Sequence, residues 1–361
     1  MELEGSAVKR EYNYTPLPEP IPIADQHWPE GTMPVVCTRT LTYNHKDYIR
    51  ECIDGILMQK TTFPVRVLVH DDASTDGTAE IVREYEKKYP QLIKAYCQKE
   101  NIYRAPDRHE RRATFHSWRI GKYEAPCEGD DFWTDTNKLQ FQVGFLEEHP
   151  DFMGTSHNVN YLNDPDNEVN MDREFYGEMR DSIYTLKDVE NGACVAGAFC
   201  SFVFRNFITK EFLDKMKSPD FPQMNHIGLS IWLAIQGNVY YSKKVMATHR
   251  YIMRKGSSNW KSQSISINNF GILYDLFLKL EKAAWEEFGV KLDLHKSKYA
   301  HFYQMVKRAF TSFKKSDFKI LVDTWKKSGN RARYFFLIFY SLTYDAARSI
   351  RKTIKRHLLR G

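Results

Sequence analysis

Long hydrophobic runs are missing from this sequence. Its longest dense apolar stretch, from Tyr334 to Leu342, has nine residues, whereas a membrane-spanning helix needs about 20. Residues 1–33 also lack the apolar core that marks a secretory signal. The sequence therefore predicts a protein that has no spanning helix and stays in the cytoplasm.

Paired cysteines are missing too. The six cysteines are scattered without a CxxC motif, so neither a zinc knuckle nor a redox dithiol is indicated. Lys and Arg exceed Asp and Glu by six, a mild excess that suits anionic partners of any kind. No signature of an RNP, zinc-finger or helix-turn-helix protein accompanies the excess. Nucleic-acid binding therefore has little support.

The order of secondary structure predicts an α/β fold. Prolines between Pro16 and Pro34 indicate an extended arm over residues 1–33. After it, strands at 35–41, 65–69 and 93–97 alternate with helices at 48–59 and 79–88. Farther along come a helix at 138–148, a strand at 197–204, a helix at 228–235, and strands near 239–241 and 245–247. The alternation predicts a parallel sheet whose loops gather at the carboxyl ends of the strands.

Acidic residues follow two of these strands. Asp71 and Asp72 end the second strand, and Glu128, Asp130 and Asp131 form one turn after the segment 122–127. Ligands of open α/β sheets bind at this edge. A solvated acidic turn is the alternative for the second group alone. However, like charges gathered at one edge cost free energy unless a cation offsets them. We therefore expect Mg²⁺ or Mn²⁺ held together with substrate phosphates.

Three residues at or near this edge could contact an anionic or aromatic ligand. Asp72 can accept a hydrogen bond from the N–H of a base, and Tyr43, just after the first strand, can stack on that base. Core packing is the alternative for Tyr43. Arg112 belongs to a basic stretch between Arg104 and Arg119 that either grips a diphosphate or forms a solvated helical face.

The motifs resemble the GT-A glycosyltransferases of family 2. They are Thr42-Tyr43-Asn44-His45, then residues 71–78 (DDASTDGT), then Gly121-Lys122-Tyr123 running into residues 128–133 (EGDDFW). The resemblance covers about residues 35–255. It implies a GT-A domain over 34–255, with a Rossmann-like nucleotide-binding half and mostly parallel sheet at 34–150 and an acceptor half at 151–255. Residues 256–361 would form a helical, basic and aromatic C-terminal region.

The resemblance also implies a chemistry. A family 2 enzyme would be a metal-dependent, inverting transferase that uses a nucleotide-diphosphate sugar, with a UDP-sugar as the preferred donor and a glycan or lipid-linked acceptor. Tyr43 and Asp72 map to the base contacts. Glu128, Asp130 and Asp131 map to the DxD-like metal element. Asp131 is the strongest candidate for a metal ligand, and Asp130 is expected to take part in binding the donor as well.

One position departs from the family pattern. The family usually has an Asp as general base at the start of the helix that here ends at Gly237, but this sequence offers Asn225-His226. An imidazole, with a pKa near ~6.5, can act as a base at neutral pH. A structural histidine is the open alternative, and Asp220 is a weaker substitute. Because of this departure, a second interpretation stays open, in which the protein is a catalytically idle homologue that only binds sugar nucleotides.

The end of the chain combines aromatic and basic residues. The aromatic run at 334–340 precedes six Lys and Arg residues between Arg348 and Arg360. Such a segment suits the anionic interface of a membrane, whereas a helix packed on the catalytic domain is the alternative. The sequence predicts a peripheral contact with the inner face of the cytoplasmic membrane.

Overall fold

The computed structural model describes residues 12–103, 105, 107–164, 168–170, 181–193, 195–252 and 267–328, together with residues 332, 334 and 336. The chain divides into two compact units. The first contains residues 1–189 and 194–254, and the second contains residues 190–193 and 255–361.

The first unit alternates strands and helices. Up to residue 148 it contains β1 (Ile21–Pro22), β2 (Val36–Thr42), α1 (Ile49–Leu57), β3 (Lys60–Thr61), β4 (Val65–Asp71), α2 (Thr78–Lys88), β5 (Ile93–Cys97), α3 (Arg108–Arg111), α4 (Ala113–Ser117), β6 (Tyr123–Pro126), β7 (Phe132–Trp133) and α5 (Lys138–Glu148). The chain then continues through β8 (Phe152–Asp164), β9 (Glu168–Asn170), β10 (Ser182–Tyr184), α6 (Leu186–Glu190), β11 (Val203–Arg205), α7 (Lys210–Lys215), α8 (His226–Gln236) and β12 (Asn238–Ile252).

One mixed sheet organises this unit. Its strand order is β10-β12-β8-β11-β6-β2-β4-β5, with β7 paired to β12 and β9 to β8. The neighbours β6-β2-β4-β5 and the pair β8-β12 are parallel, and β11 joins the two parallel parts by antiparallel pairing. From β2 the chain moves outward to β4 and β5 and then returns to β6 on the other side of β2. This reversal falls at the carboxyl ends of β2 and β6, the edge of the sheet where ligands of such folds bind.

The central strands are buried on both faces. Val67, Leu68 and Val69 of β4 are fully buried, as the continuous apolar run predicts for a parallel strand covered by helices. Cys52, Ile53 and Ile56 of α1 belong to the same core as Val67 and Val69, whereas Leu68 belongs to a second cluster with Cys37 and Phe115. The loops beyond these strands are therefore positioned by a rigid layer.

Two strand predictions were wrong in detail. The predicted strand at 197–204 is a 3₁₀ turn at Phe199–Ser201 followed by β11. The indole N–H of Trp133 donates to the carbonyl of Cys200 at 2.9 Å, which ties the backbone to the core instead of to a neighbouring strand. The two predicted strands near 239–241 and 245–247 are one strand, β12, with irregular register between Ser242 and Val245 and again between Val245 and Ala247.

The segment predicted as an extended arm packs on the first unit in its described part, residues 12–33. β1 pairs antiparallel with β3, and Ile23 is buried in the main hydrophobic core. The prolines keep the backbone extended, while the burial of Ile23 anchors it.

The second unit is helical. It contains α9 (Ile267–Phe288), α10 (His295–Ser312) and α11 (Lys315–Lys327). Tyr274, Phe302, Met305 and Leu321 are among the residues that form its core. None of the described helices is long and apolar enough to cross a membrane. The aromatic and basic tail at 334–360 lies outside the described residues, except for residues 334 and 336.

Candidate functional site

Two loops at the carboxyl edge of the sheet are joined by hydrogen bonds. Asn44 Oδ1 accepts from the backbone N–H of Thr75 at 2.9 Å, and Asp76 Oδ2 accepts from the N–H of Lys46 at 3.0 Å. Asp76 Oδ1 also accepts from the N–H of Thr78 at 3.0 Å, at the start of α2. Asp76 therefore has a structural role in the turn, and the loops after β2 and β4 form one surface.

Tyr43 and Asp72 lie on this surface. Tyr43 is half-buried immediately after β2. The N–H of Asp72 donates to the carbonyl of Thr42 at 3.0 Å, so the two residues follow neighbouring strand ends. Asp72 is 5% exposed, and its Oδ1 accepts from the N–H of Ile102 at 3.1 Å. Its carboxylate is thus held in a fixed orientation.

Arg112 reaches the same edge from the α3–α4 segment. Its Nη2 lies 3.7 Å from Oδ2 of Asp72. Burial, followed by the nearby Arg108, lowers the pKa of Arg112 in spite of the attraction of Asp72. Among the described residues, its Nε is one of the buried polar atoms without a hydrogen-bond partner. A buried donor in this state suits an anionic ligand that would complete its hydrogen bonds.

The acidic turn after β6 lies against the end of β2. The N–H of Gly129 donates to the carbonyl of Leu41 at 3.0 Å. A Cβ at Gly129 would lie 2.6 Å from Thr42 Oγ1 and 2.9 Å from His45 Nδ1, so only glycine permits this approach. The turn brings Asp130 Oδ2 to 4.0 Å from His45 Nε2. The acidic turn and the loop after β2 therefore form one site.

Three carboxylates gather on this turn. Glu128, Asp130 and Asp131 offer oxygens that all lie within 4.8 Å of one another. Burial, followed by the charges of Asp130 and Asp131, raises the pKa of Glu128 to about 7. Burial also raises the pKa of Asp130. Closely spaced oxygen ligands whose negative charges oppose one another fit Mg²⁺ or Mn²⁺, because a divalent cation offsets the repulsion.

Asp131 is the most constrained of the three. It is fully buried, and His249 Nδ1 lies 3.0 Å from both of its oxygens. The N–H of Arg250 donates to Asp131 Oδ1 at 2.8 Å, and the Arg250 guanidinium donates to the carbonyl of Asp130 and to Glu51. β12 thus holds the acidic turn in place.

His249 is a functional candidate that the motifs did not reveal. Burial lowers its pKa, but Asp131, Asp130 and Glu128 more than offset burial and raise the pKa to about 9. The protonated ring is a counter-ion for Asp131, and the deprotonated ring is a further candidate metal ligand. Asp131, Cys200 and His249 also form a group with ligand atoms within 4.8 Å. The available signal was a polar pair, His249-Arg250, inside a strand-forming run.

The structure places His226 at the first position of α8. The helix is capped by its neighbour Asn225, whose Oδ1 accepts from the N–H of Gly228 at 2.9 Å. The carbonyl of His226 accepts from Ser230 Oγ at 2.7 Å. Capping is therefore the role of Asn225, and the side chain of His226 is half-buried at the helix start. Asp220 is exposed in the preceding turn.

Comparisons with known proteins agree with this fold. Residues 40–213 match the family model described as Glycosyl transferase family 2. The structure is similar to the crystal structure of Staphylococcus aureus TarS 1–349 in complex with UDP-GlcNAc. The TM-score is 0.58 at 15% identity, covering 89% of this chain and 92% of that one. A likeness at this identity establishes the fold, which is GT-A.

The sequence relatives match a shorter segment. An uncharacterized protein of Mycobacterium tuberculosis is 42% identical over 123 residues, which are 34% of each chain. TuaG of Bacillus subtilis, named for a proposed role as a teichuronic acid biosynthesis glycosyltransferase, is 33% identical over 115 residues. That alignment covers 32% of this chain and 43% of TuaG. The chain thus spans about a third of the length of the mycobacterial relative.

The family match covers residues 40–213, and it confirms the resemblance to family 2 glycosyltransferases that the sequence motifs predict.

Proposed function

We propose that the protein transfers a sugar from a nucleotide-diphosphate sugar to a glycan or lipid-linked acceptor with inversion at the anomeric carbon. A UDP-sugar is the preferred donor. The observation that carries the proposal is the gathering of Tyr43, Asp72, Arg112 and the acidic turn at one edge of the sheet, at the carboxyl ends of β2, β4 and β6. This edge would combine a stacking surface, a hydrogen-bond acceptor for the base, a guanidinium and a group of carboxylates for the metal.

Each residue has a proposed part in donor binding. Tyr43 packs against the base, Asp72 accepts a hydrogen bond from it, and Arg112 binds the diphosphate. Glu128, Asp130 and Asp131 would hold Mn²⁺ or Mg²⁺, with His249 beside them. When bound, the cation would offset the negative charge that develops on the departing diphosphate.

The proposed reaction is a single displacement. The acceptor oxygen attacks the anomeric carbon, the bond from that carbon to the diphosphate oxygen breaks, and the nucleoside diphosphate leaves with the bonding electrons. His226 takes the proton of the acceptor hydroxyl as general base. Its position at the start of α8 supports this role, because the family usually has its carboxylate base at the start of that helix.

A second candidate function is nucleotide-sugar binding without transfer. The observation that favours it is the histidine in place of the usual carboxylate. Both functions require donor binding, and only the first requires turnover.

Thermal shift with UDP-, GDP- and dTDP-sugars, each with and without Mn²⁺, tests the proposal. We expect one nucleotide series to raise the melting temperature, and Mn²⁺ to enlarge the shift. Glu84→Gln, which removes an exposed carboxylate elsewhere on the domain, is the control and should respond like the parent. An absence of stabilisation by every donor in the presence of Mn²⁺ would refute donor binding.

The proposed membrane contact of the tail at 334–360 concerns residues outside the described part of the chain. It stays a prediction, as does a cytoplasmic location at the inner face of the membrane. A lipid-linked acceptor would be consistent with this location, because the acceptor itself would lie in the membrane.

A further inference from the structure

The turn between α10 and α11 exposes an aromatic side chain. Phe313 is 78% exposed, the largest value among the large apolar residues that the structure describes. Its φ is +52°, and its N–H donates to the carbonyl of Ala309 at 3.1 Å, which closes the end of α10. Glycine is the usual residue in this left-handed position. Here a large apolar residue occupies it at a conformational cost and points to solvent.

The surrounding turn is well packed. The rings of Phe310 and Phe318 meet edge to face with centroids 5.1 Å apart, and both lie against the core of the helical unit. Ser312 Oγ donates to Asp317 Oδ2 at 2.6 Å across the turn. Two neighbouring phenylalanines are thus turned inward while Phe313 is turned outward. Its exposure is a property of a fixed turn.

Positive charge is concentrated on the segment that contains this turn. Residues 267–303 carry five basic and five acidic residues, whereas residues 304–328 carry seven basic and two acidic ones. The seven are Lys307, Arg308, Lys314, Lys315, Lys319, Lys326 and Lys327. On α11, Lys315, Lys319, Val322 and Lys326 are all exposed, and their spacing places them on one face of the helix. The net charge of the described part of this unit therefore comes from its second half.

We propose that this corner docks on an anionic lipid bilayer. We define the basic corner as Phe313 together with Arg308, Lys314, Lys315 and Lys319. Phe313 enters the boundary between head groups and acyl chains, and the cations around it contact lipid phosphates. Lysines suit this arrangement, because their long stems lie along the apolar layer while their ammonium groups stay at the charged surface.

A bilayer fits the basic corner better than a nucleic acid or a protein. A bilayer presents a negative layer directly above an apolar one, which matches an exposed aromatic side chain with exposed basic residues on both sides of it in sequence. Nucleic-acid binding would be governed by the charges, with little need for an aromatic residue in a strained position. A single inserted ring gives weak, reversible binding. The proposal goes beyond donor binding and turnover and does not depend on either.

Vesicle flotation of the full chain tests the aromatic contact. The parent should float with phosphatidylcholine vesicles that contain phosphatidylglycerol, and not with phosphatidylcholine alone. Phe313→Gly should weaken binding by about tenfold or more, because the free energy of burying one aromatic side chain is lost. Glycine adopts the positive φ readily, so this variant should fold. Trp285→Ala is the matched control, because Trp285 is 65% exposed in the same unit but stands beside Glu286 and Glu287.

A second pair of variants tests the charges. Changing Lys314, Lys315 and Lys319 to Gln should weaken binding by roughly fivefold per lysine, and added salt should weaken the parent in the same way. The matched control changes Lys282, Lys291 and Lys296, which are exposed in the neutral half of the unit. The tail at 334–360 is unchanged in every variant, so its contribution cancels.

Other outcomes would overturn the proposal. Equal flotation of Phe313→Gly and the parent would exclude insertion. If Phe313→Gly changes the sedimentation coefficient of the free protein, the corner is a contact between copies of the chain. If only the lysine variant loses binding, and loses it equally for a DNA oligonucleotide, the corner is a general polyanion surface. The thermal shift with the nucleotide sugar should be the same for all these variants. A negative result in flotation therefore does not contradict the proposed glycosyl transfer.

Discussion

His249 Nδ1 lies 3.0 Å from both carboxylate oxygens of Asp131, although 118 residues separate the two in sequence. This contact changes what a substitution at Asp131 can test. Asp131 is the strongest metal-ligand candidate of the sequence, but it is also the buried partner of a protonated imidazole. Asp131→Asn should therefore reduce metal binding and also destabilise the fold by about 3 kcal/mol or more, the usual cost of breaking a buried pair. Chemical denaturation of the parent and the variant measures this cost.

Glu128 and Asp130 give a cleaner test of the metal site. Asp130 has a side-chain exposure of 16%, so Asp130→Asn should leave the fold stable. We expect Asp130→Asn and Glu128→Gln each to weaken Mn²⁺ binding by roughly 10- to 100-fold or more. Loss of a residue that only supports a metal ligand already has an effect of this size. Titration calorimetry with Mn²⁺ checks this, with Glu84→Gln as the control. Unchanged Mn²⁺ affinity in both variants would rule out the acidic turn as the metal site.

The base contacts predict an effect on the free nucleotide. Tyr43→Ala and Asp72→Asn should weaken binding of the nucleoside diphosphate by about as much as binding of the whole donor, because both residues are proposed to touch the base. Asn keeps an acceptor for the N–H of Ile102, which bonds Asp72 at 3.1 Å. Competition binding with the free nucleotide measures the effect. Loss of turnover with unchanged nucleotide affinity would show that the two residues act elsewhere.

His226→Ala should reduce turnover by roughly 10²–10⁴-fold, the usual contribution of a positioned general base. Donor affinity should change little. His226→Asp should retain activity, with the pH dependence of the rate moved toward the carboxylate range, whereas a structural histidine would show no such movement. The control is Asn225→Ser, which keeps a helix cap and should retain the parental profile. A parental rate in His226→Ala would exclude the histidine as the base.

Buried histidines on the α3–α4 side predict acid sensitivity. Burial, followed by the charge of Arg112, lowers the pKa of His70 to about 3. Because the folded pKa lies below the unfolded value of about 6.5, neutral His70 favours the native state above pH 6.5. This stability is lost progressively as the pH falls toward 3. One such residue contributes a loss of about 2 kcal/mol between pH 7 and 5.

Urea unfolding at pH 7 and pH 5 measures that loss. His70→Asn should lose less stability on acidification than the parent does, whatever its stability at pH 7. Some loss should remain, since burial also lowers the pKa of His109 to about 4 and of His116 to about 2. The exposed His27 supplies the control, and His27→Asn should follow the parent. An equal loss of unfolding free energy between pH 7 and pH 5 in His70→Asn and the parent would contradict a contribution of His70 to the acid sensitivity.

Local signals located several elements of the sheet and of the helices that cover it. β5 at Ile93–Cys97 and α5 at Lys138–Glu148 have the predicted bounds, because proline and polar residues punctuate the chain beside them. The edge carrying Tyr43, Asp72 and the acidic turn followed from strand order, since parallel strands place their carboxyl ends together.

Long-range pairing placed the rest of the site. β7 pairs with β12 so that Trp133 lies opposite Ala247 and Phe132 opposite Thr248. This register brings His249 and Arg250 to the turn, and no local pattern specifies it. The same limit explains the error at 197–204, where a hydrogen bond to Trp133 overrides the strand propensity of the segment.

The irregular part of β12 has a consequence for how this fold tolerates insertions and deletions. Ser242 pairs with His157 and Val245 with Asn158, so Lys243 and Lys244 have no counterpart on β8. Side chains alternate between the two faces of a strand, and a shift of one residue reverses every face downstream. If the residues after the gap keep their spacing from Ser242, removing one of these lysines would therefore turn His249 away from Asp131. The length of this short segment, rather than its composition, then decides whether the His249 ring faces Asp131.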